Sequence, residues 1–428
     1  MVTALREEKE DYSPLPEKTL ARLWQKRAAL QREFRTGAGR RVRVLYPGRP
    51  GTAAGPDFRD AVLEMEGLGV VQGDVELHLR QQDWYAHGHA EDPNYNGVVL
   101  HAALETDPRP TNLHNGHQAP VISLSDLLEQ AEEAGERDLP AGGPQLSGEL
   151  WSLLENRGWP RPTDASEAAN LLDAAGEARF AGRAEMFAAF CREQPAAQAL
   201  YEGLMESLGY RNNRQPFLKL ARAAPWNSLV KEALGSLPEQ RTRVVEAWLL
   251  QLSGLDGPEE KIAKPLARYG RPMNAKEWHC FRVRPANHPR HRIAGAARLL
   301  TRCTARAEEG EGLVEDGLIT FFDNAVNSCK PASLASALTV NASEKKGPAY
   351  IGTGRARDMA VNVVLPFFHA WHDGGDTAAL DLYRVFPKLQ ENEVTREMKD
   401  RLLLPEWAGL ISTAQRQQGL IHLYRQLS

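Results

Sequence analysis

The stretch GPDFRDAVLEMEGLGVVQGDVELHLRQQDWYAHGHAEDPNYNGVVLH, residues 55–101, decides the fold. Its centre alternates. In "GDVELHL" (73–79), Val75, Leu77 and Leu79 fall on one side of an extended chain and Asp74, Glu76 and His78 on the other, because successive side chains of a strand point to opposite faces. One face is apolar; the other is acid, acid, imidazole. "DAVLEME" (60–66) and "VVQGDVELHLR" (70–80) then form two strands of a hairpin, with "LG" at 68–69 as its tight turn. Such pairing carries Asp57, at the mouth of the first strand, towards Glu76 on the second.

Working outward, Leu20, Leu23, Trp24, Leu30 and Phe34 recur at roughly helical spacing between Pro16 and Arg35, which predicts an amphipathic helix. "GAG" (37–39) ends it, and "RRVRVLY" (40–46) alternates with the period of a half-buried strand. Downstream, "VVLHAALE" (98–105) and "APVISL" (119–124) are further short strands. The segment "RDLPAGGPQLSG" (137–148) carries two prolines and three glycines, as a linker or long loop does, and beyond it helix formers dominate, as in "SEAANLLDAAGEARFAGRAEMFAAFC" and "RTRVVEAWLLQLS". The expected fold is α+β: an α/β domain over residues 1–136 with a mostly antiparallel sheet and flanking helices, a connection at 137–148, and a mostly α-helical region over 149–428.

A chain of 428 residues exceeds what one core usually organises. With 42% hydrophobic and 25% charged residues and a net charge of −4, the composition is that of a folded protein. The start "MVTALREEKEDYSPLPEK" has no apolar signal core, and no uncharged apolar run is long enough to span a bilayer. The expectation is a cytoplasmic protein without a membrane partner. The four cysteines are widely spaced and form no CxxC pair, which argues against a zinc knuckle and a disulfide framework. From Lys18 to Arg49 ten Lys/Arg face a single acid, Glu33, a local excess that suits a polyanion such as nucleic acid and equally suits a solvated helix face.

Two carboxylates brought about 4 Å apart repel by roughly 4 kcal/mol at an effective dielectric near 20, so Asp57 and Glu76 call for a cation, a shared proton or an outward splay. A hard divalent ion, Mg²⁺ or Mn²⁺, prefers such oxygens and can activate water for phosphodiester cleavage. In this reading Asp57 and Glu76 hold the metal and His78 orients or deprotonates water, while Arg40, Arg41 and Arg43 meet phosphates. The plain alternative is a loop cap at Asp57 and an exposed, paired polar face at Glu76 and His78. "PD" at Pro56–Asp57 and "ELH" at Glu76–His78, in the order helix, three strands, further segment, strand, resemble the PD-(D/E)XK nuclease superfamily, with His78 where that pattern has lysine. That resemblance implies a metal-dependent nuclease or nuclease-like protein. Over nearly the whole chain, "GPDFRDA", "GDVELH", "DWYAHGH", "DPNYNGVVLH", "RPANHPRHRIA" and "QQGLIHLY" resemble a bacterial family known as domain of unknown function 2851, which brings no activity with it.

Six of the twelve histidines, 78, 87, 89, 101, 114 and 117, fall within forty residues. His87 and His89 could hold a transition metal with Asp83 or His101, since imidazole and carboxylate suit zinc, manganese or iron. His101, among Val98, Val99 and Leu100, is equally a satisfied core histidine. Trp84 and Tyr85 could stack on a base or close the end of the sheet. Asp92 to Asn96 reads as a turn. In "RPANHPRHR" (284–292), Arg290 and Arg292 stand at a helix start, as phosphate contacts or merely as part of a capped start with Asn287 as N-cap and Pro289 in the first turn. No GxSxG, HExxH or Walker motif occurs. Three functions remain open: a Mg²⁺- or Mn²⁺-dependent nuclease, a non-catalytic nucleic-acid or protein-binding scaffold, and a histidine-ligated metal hydrolase.

Overall fold

A computed structural model describes residues 17–28, 33–51, 55–125, 127, 146, 148–209, 213–255, 272–280, 283–306, 317–342, 347–372 and 378–427. The expected connection at 137–148 lies outside these apart from Leu146 and Gly148, as do Leu30 and Arg32 of the basic stretch. The chain divides into two compact units, Met1–Leu171 with Glu391–Leu410 and Leu420–Ser428, and Leu172–Gln390 with Ile411–Gly419. The unit that holds the sheet therefore also takes in helical segments that composition groups with the C-terminal region.

The first unit begins with helix α1 (Glu17–Arg27). There follow strands β1 (Phe34–Arg35), β2 (Arg41–Tyr46), β3 (Arg49–Pro50), β4 (Phe58–Met65), β5 (Gly69–Arg80), β6 (Val98–Glu105), β7 (Thr111–Asn112), β8 (Gln118–Ala119) and β9 (Val121–Ser123), with a short helix α2 (Asp83–Ala86) after β5. The main sheet runs β1-β2-β4-β5-β6-β9, with β3 beside β4. From β1 to β5 the pairs are antiparallel, and β5, β6 and β9 are parallel. The α+β class holds, and the sheet is mixed. Its parallel half follows from the long segment between β5 and β6, since parallel neighbours need a crossover of a dozen or more residues.

Residue for residue, the apolar face of β5 is where its alternation puts it. Val75 and Leu77 are buried with Phe58, Leu63, Leu100, Ala102 and Ile122 in one core, and α1 covers them with Leu20 and Trp24. Spacing of i, i+4 places these two side chains on one helix face. The Trp24 indole N–H donates to Pro47 O at 2.8 Å, so the largest side chain of this core is satisfied where it is buried.

The β4–β5 register contains a bulge: Phe58 faces Val75 but Ala61 faces Gly73. Asp60 absorbs the extra residue in a left-handed conformation, φ 57°, which Asp tolerates better than most residues. Its carboxylate Oδ2 accepts from Arg49 Nε at 3.0 Å and from the Tyr424 hydroxyl at 2.8 Å. A segment near the C-terminus is thereby fastened to β4.

The second unit is helical. Its core gathers Tyr201, Phe217, Trp226, Trp248, Phe322 and Phe367 from helices that include Ala196–Leu208, Arg214–Ala223, Trp226–Leu234, Arg241–Ser253 and Gly317–Asn327. Among the described residues no helix is long and apolar enough to cross a membrane.

The Asp60 anchor yields a test. Tyr424→Phe removes one of the two donors to a charged acceptor and should lower stability by about 1.5–3 kcal/mol, the range for hydrogen bonds to ionised groups. Urea unfolding with an unchanged midpoint would show that the C-terminal segment does not depend on this bond.

Candidate metal centre

The polar face of β5 is not exposed. Asp74, Glu76 and His78 are 7%, 5% and 1% accessible, because residues between β5 and β9 lie across that side of the sheet. Trp84, Tyr95, Val98, Leu113 and Ala119 form a second, smaller core there. Each buried polar group then needs its own partner. Asp74 takes Arg59 Nη1 at 2.6 Å and the Asp60 N–H at 3.2 Å. Burial nevertheless raises its pKa, with Arg59 opposing.

Glu76 and Asp57 meet as the hairpin implies, and they interlock through the backbone. The Asp57 N–H donates to Glu76 Oε2 at 2.8 Å, and the Leu77 N–H donates to Asp57 Oδ2 at 3.1 Å. The bond at Oε2 fixes the orientation of the Glu76 carboxylate. Its other oxygen, Oε1, stands 3.4 Å from His89 Nε2 and 3.9 Å from His78 Nε2.

His78, His87 and His89 each bring a ring nitrogen to within 4.8 Å of the others'. His78 Nε2 is 3.2 Å from His87 Nδ1. A four-coordinate ion with arms of about 2.0–2.1 Å has ligand edges of about 3.3–3.4 Å. The separations of 3.2, 3.4 and 3.9 Å among His78, His87, His89 and Glu76 lie around that length. The three imidazoles could therefore hold a single ion, with the Glu76 carboxylate beside two of them. The cluster is closed on the His78 side and open on the side of exposed His87.

The rings are held from behind. Tyr95 stacks on His89 with centroids 4.0 Å apart, and Trp84 meets His78, His89 and His101 at 6.5, 5.4 and 5.4 Å. His78 Nδ1 lies 3.0 Å from His101 Nε2, and His101 Nδ1 lies 2.8 Å from the Thr111 hydroxyl. Burial, reinforced by the neighbouring imidazoles, pushes the pKa of His78 down to about 3, and burial with His89 pushes that of His101 down to about 4. His89 is lowered as well, by burial and then by His87. All three rings are neutral near pH 7, the form in which imidazole binds a metal.

The other expected positions fall elsewhere. Asp83, on α2, turns its carboxylate to the Arg80 N–H at 3.1 Å instead of to the histidines. His101 is a core histidine one step behind His78. Trp84 is fully buried and donates its indole N–H to Asn112 O at 3.1 Å, so it closes the sheet and offers no face to a base. Arg41 and Arg43 pair with Glu66 and Glu64, and exposed Arg40 precedes them. They sit opposite the Met65 end of β4, roughly 25 Å from Asp57 at about 3.3 Å per residue. Arg290 and Arg292 belong to the second unit. There Arg290 donates to Leu255 O, and buried Arg292 donates to Tyr350 O and Asn287 Oδ1. Pro289 opens the helix as expected, while His288 Nδ1, not Asn287, accepts from the Arg290 N–H at 3.3 Å.

Sequence reasoning passed over Arg59, Tyr95 and Thr111. Arg59 was legible, since an arginine two residues after Asp57 shares its general side of the strand. Thr111 carries no local signal, because only the fold of the covering segment brings it to His101.

The family described as "Protein of unknown function (DUF2851)" matches residues 17–392, and the chain belongs to that family. Neither a curated protein nor a solved structure matches it.

Trp84 gives this layer its own test. Trp84→Ala should destabilise the protein by about 3–5 kcal/mol, as large-to-small core changes do, measured by denaturant unfolding. A stability change near zero, with weakened binding of single-stranded DNA or RNA, would return Trp84 to a stacking role.

Proposed function

We propose that this protein is a metal-dependent phosphodiester hydrolase, a nuclease or nuclease-like nucleic-acid-processing enzyme, whose ion is held by His78, His87, His89 and Glu76. The convergence of three imidazole nitrogens within 4.8 Å beside a buried carboxylate carries this reading. The donor set favours Zn²⁺, Mn²⁺ or Fe²⁺ over Mg²⁺, which prefers oxygen ligands and water. It thus joins two alternatives open in the sequence: the acidic pair of a nuclease and the histidine ligands of a metal hydrolase.

An ion held by His78, His87, His89 and Glu76 would supply Lewis-acid chemistry there, activating water and stabilising charge on the phosphoryl group. The remaining work falls to side chains. Exposed Asp57, fixed by the Leu77 N–H, would accept a proton from the attacking water. Arg59, held at Asp74, supplies a positive charge on the same side of the hairpin for an anionic substrate, a part that Arg40, Arg41 and Arg43 are too distant to play. The order helix, three strands, short helical turns, strand in α1, β2, β4, β5, α2 and β6 is consistent with a PD-(D/E)XK-like core, with His78 in place of lysine.

Isothermal titration of Zn²⁺ and Mn²⁺, beside gel assays on single- and double-stranded DNA and RNA, tests the proposal. His89→Ala should weaken metal binding by more than the roughly 10- to 100-fold typical of outer-shell changes. Asp57→Asn should leave binding intact and slow cleavage by about 10²- to 10⁴-fold, the range for general acid–base catalysis. Cleavage that survives both substitutions contradicts the assignment, and tight metal binding without cleavage of any of these substrates favours the scaffold.

A further inference from the structure

His78, His101 and Thr111 form a hydrogen-bonded chain that is sealed from solvent: the three residues are 1%, 0% and 0% accessible. The links are short, 3.0 Å from His78 Nδ1 to His101 Nε2 and 2.8 Å from His101 Nδ1 to Thr111 Oγ1. The chain enters the metal centre from the rear, because the nitrogen of His78 that faces His87 and Glu76 is Nε2. Its far end is fixed by the fold: Thr111 lies on β7, paired with Ala119 of β8, and His101 lies on β6 beside Glu76 of β5.

A neutral imidazole carries one proton, so the chain has two consistent directions. In one, His78 Nδ1–H donates to His101 Nε2 and His101 Nδ1–H donates to Thr111 Oγ1; His78 then presents a lone pair at Nε2. In the other, the Thr111 hydroxyl donates to His101 Nδ1 and His101 Nε2–H donates to His78 Nδ1; His78 then carries its proton at Nε2, where it blocks coordination. Each ring keeps one proton in both directions, so the choice is one of tautomer and not of net charge.

We infer that Thr111 and His101 are positioning residues that make the metal-binding tautomer of His78 available, by giving its buried chain an acceptor at the far end. The inference rests on the metal centre proposed above and adds to it. The first direction requires an acceptor at the buried end of the chain, and the Thr111 oxygen is that acceptor. Valine has the same shape and no oxygen. An imidazole N–H buried without an acceptor is a costly orphan, so in Thr111→Val the chain turns to its second direction and His78 Nε2 is protonated. Outer-shell partners of metal-bound histidine act in this way generally, by fixing tautomer and ring orientation.

The experiment is Zn²⁺ titration of wild type, Thr111→Val and Thr111→Ser by calorimetry, together with ¹⁵N NMR of histidine-labelled protein to read each tautomer. Zn²⁺ affinity should fall about 10- to 100-fold in Thr111→Val and stay within a few-fold of wild type in Thr111→Ser. In Zn²⁺-loaded wild type, His78 and His101 should both carry their proton at Nδ1, and metal-free Thr111→Val should show His78 protonated at Nε2. Equal affinity in the valine variant, or an unchanged His78 tautomer, overturns the inference. So does a valine variant that loses Zn²⁺ affinity while His78 keeps its proton at Nδ1, since the loss is then structural. Wild type that binds no Zn²⁺ removes the metal centre itself, whereas wild type that binds Zn²⁺ and cleaves nothing removes only the hydrolase reading.

Discussion

Burying the polar row Asp74, Glu76 and His78 under a second layer of chain is the constraint on which the sheet unit depends. Polar groups out of water cost several kcal/mol each unless partnered, and here every member has a dedicated answer. Asp74 has Arg59 and the Asp60 amide, Glu76 has the Asp57 amide, and His78 has His101. Those answers in turn determine local structure. Two partners of the row's carboxylates come from the mouth of β4, Asp57 and Arg59, and the bulge at Asp60 lies where they are delivered. The irregular segment after β5 is the lid on this row, and its aromatic residues fill the space between the imidazoles.

Much of this was legible in the sequence. The alternation of Val75 and Leu77 with Asp74, Glu76 and His78 identifies β5 and its two faces, and the hairpin that follows brings Asp57 to Glu76. "VVLHAALE" coincides with β6, Val98–Glu105. Periodicity cannot say whether a polar face meets water or protein. That depends on where residues 81–119 lie, and nothing local in their text fixes it. For the same reason Asp83 reads in the sequence as a possible partner of His87 and His89, although α2 turns it towards Arg80. Charge density along the chain takes no account of strand direction: β2 is antiparallel to β4, which puts Arg41 and Arg43 at the far end from Asp57. Trp84 was ambiguous for a third reason, since an aromatic beside histidines reads alike as lid and as stacking platform until its burial is known.

The lowered imidazoles of His78 and His89 beside the Glu76 carboxylate are also an electrostatic statement. Burial has removed the option of neutralising Glu76 by protonating His78, whose pKa falls to about 3. A cation at the focus of these donors would place a positive charge beside that carboxylate. The family to which the chain belongs has no function in its description.

X-ray absorption spectroscopy of the Zn²⁺-loaded protein addresses the central claim most directly. The account predicts three imidazole nitrogens and one carboxylate oxygen among the ligands, at about 2.0–2.2 Å, with the imidazole scattering reduced by one ring in His89→Ala. A shell of oxygen ligands without imidazole, or one indifferent to that substitution, would contradict it.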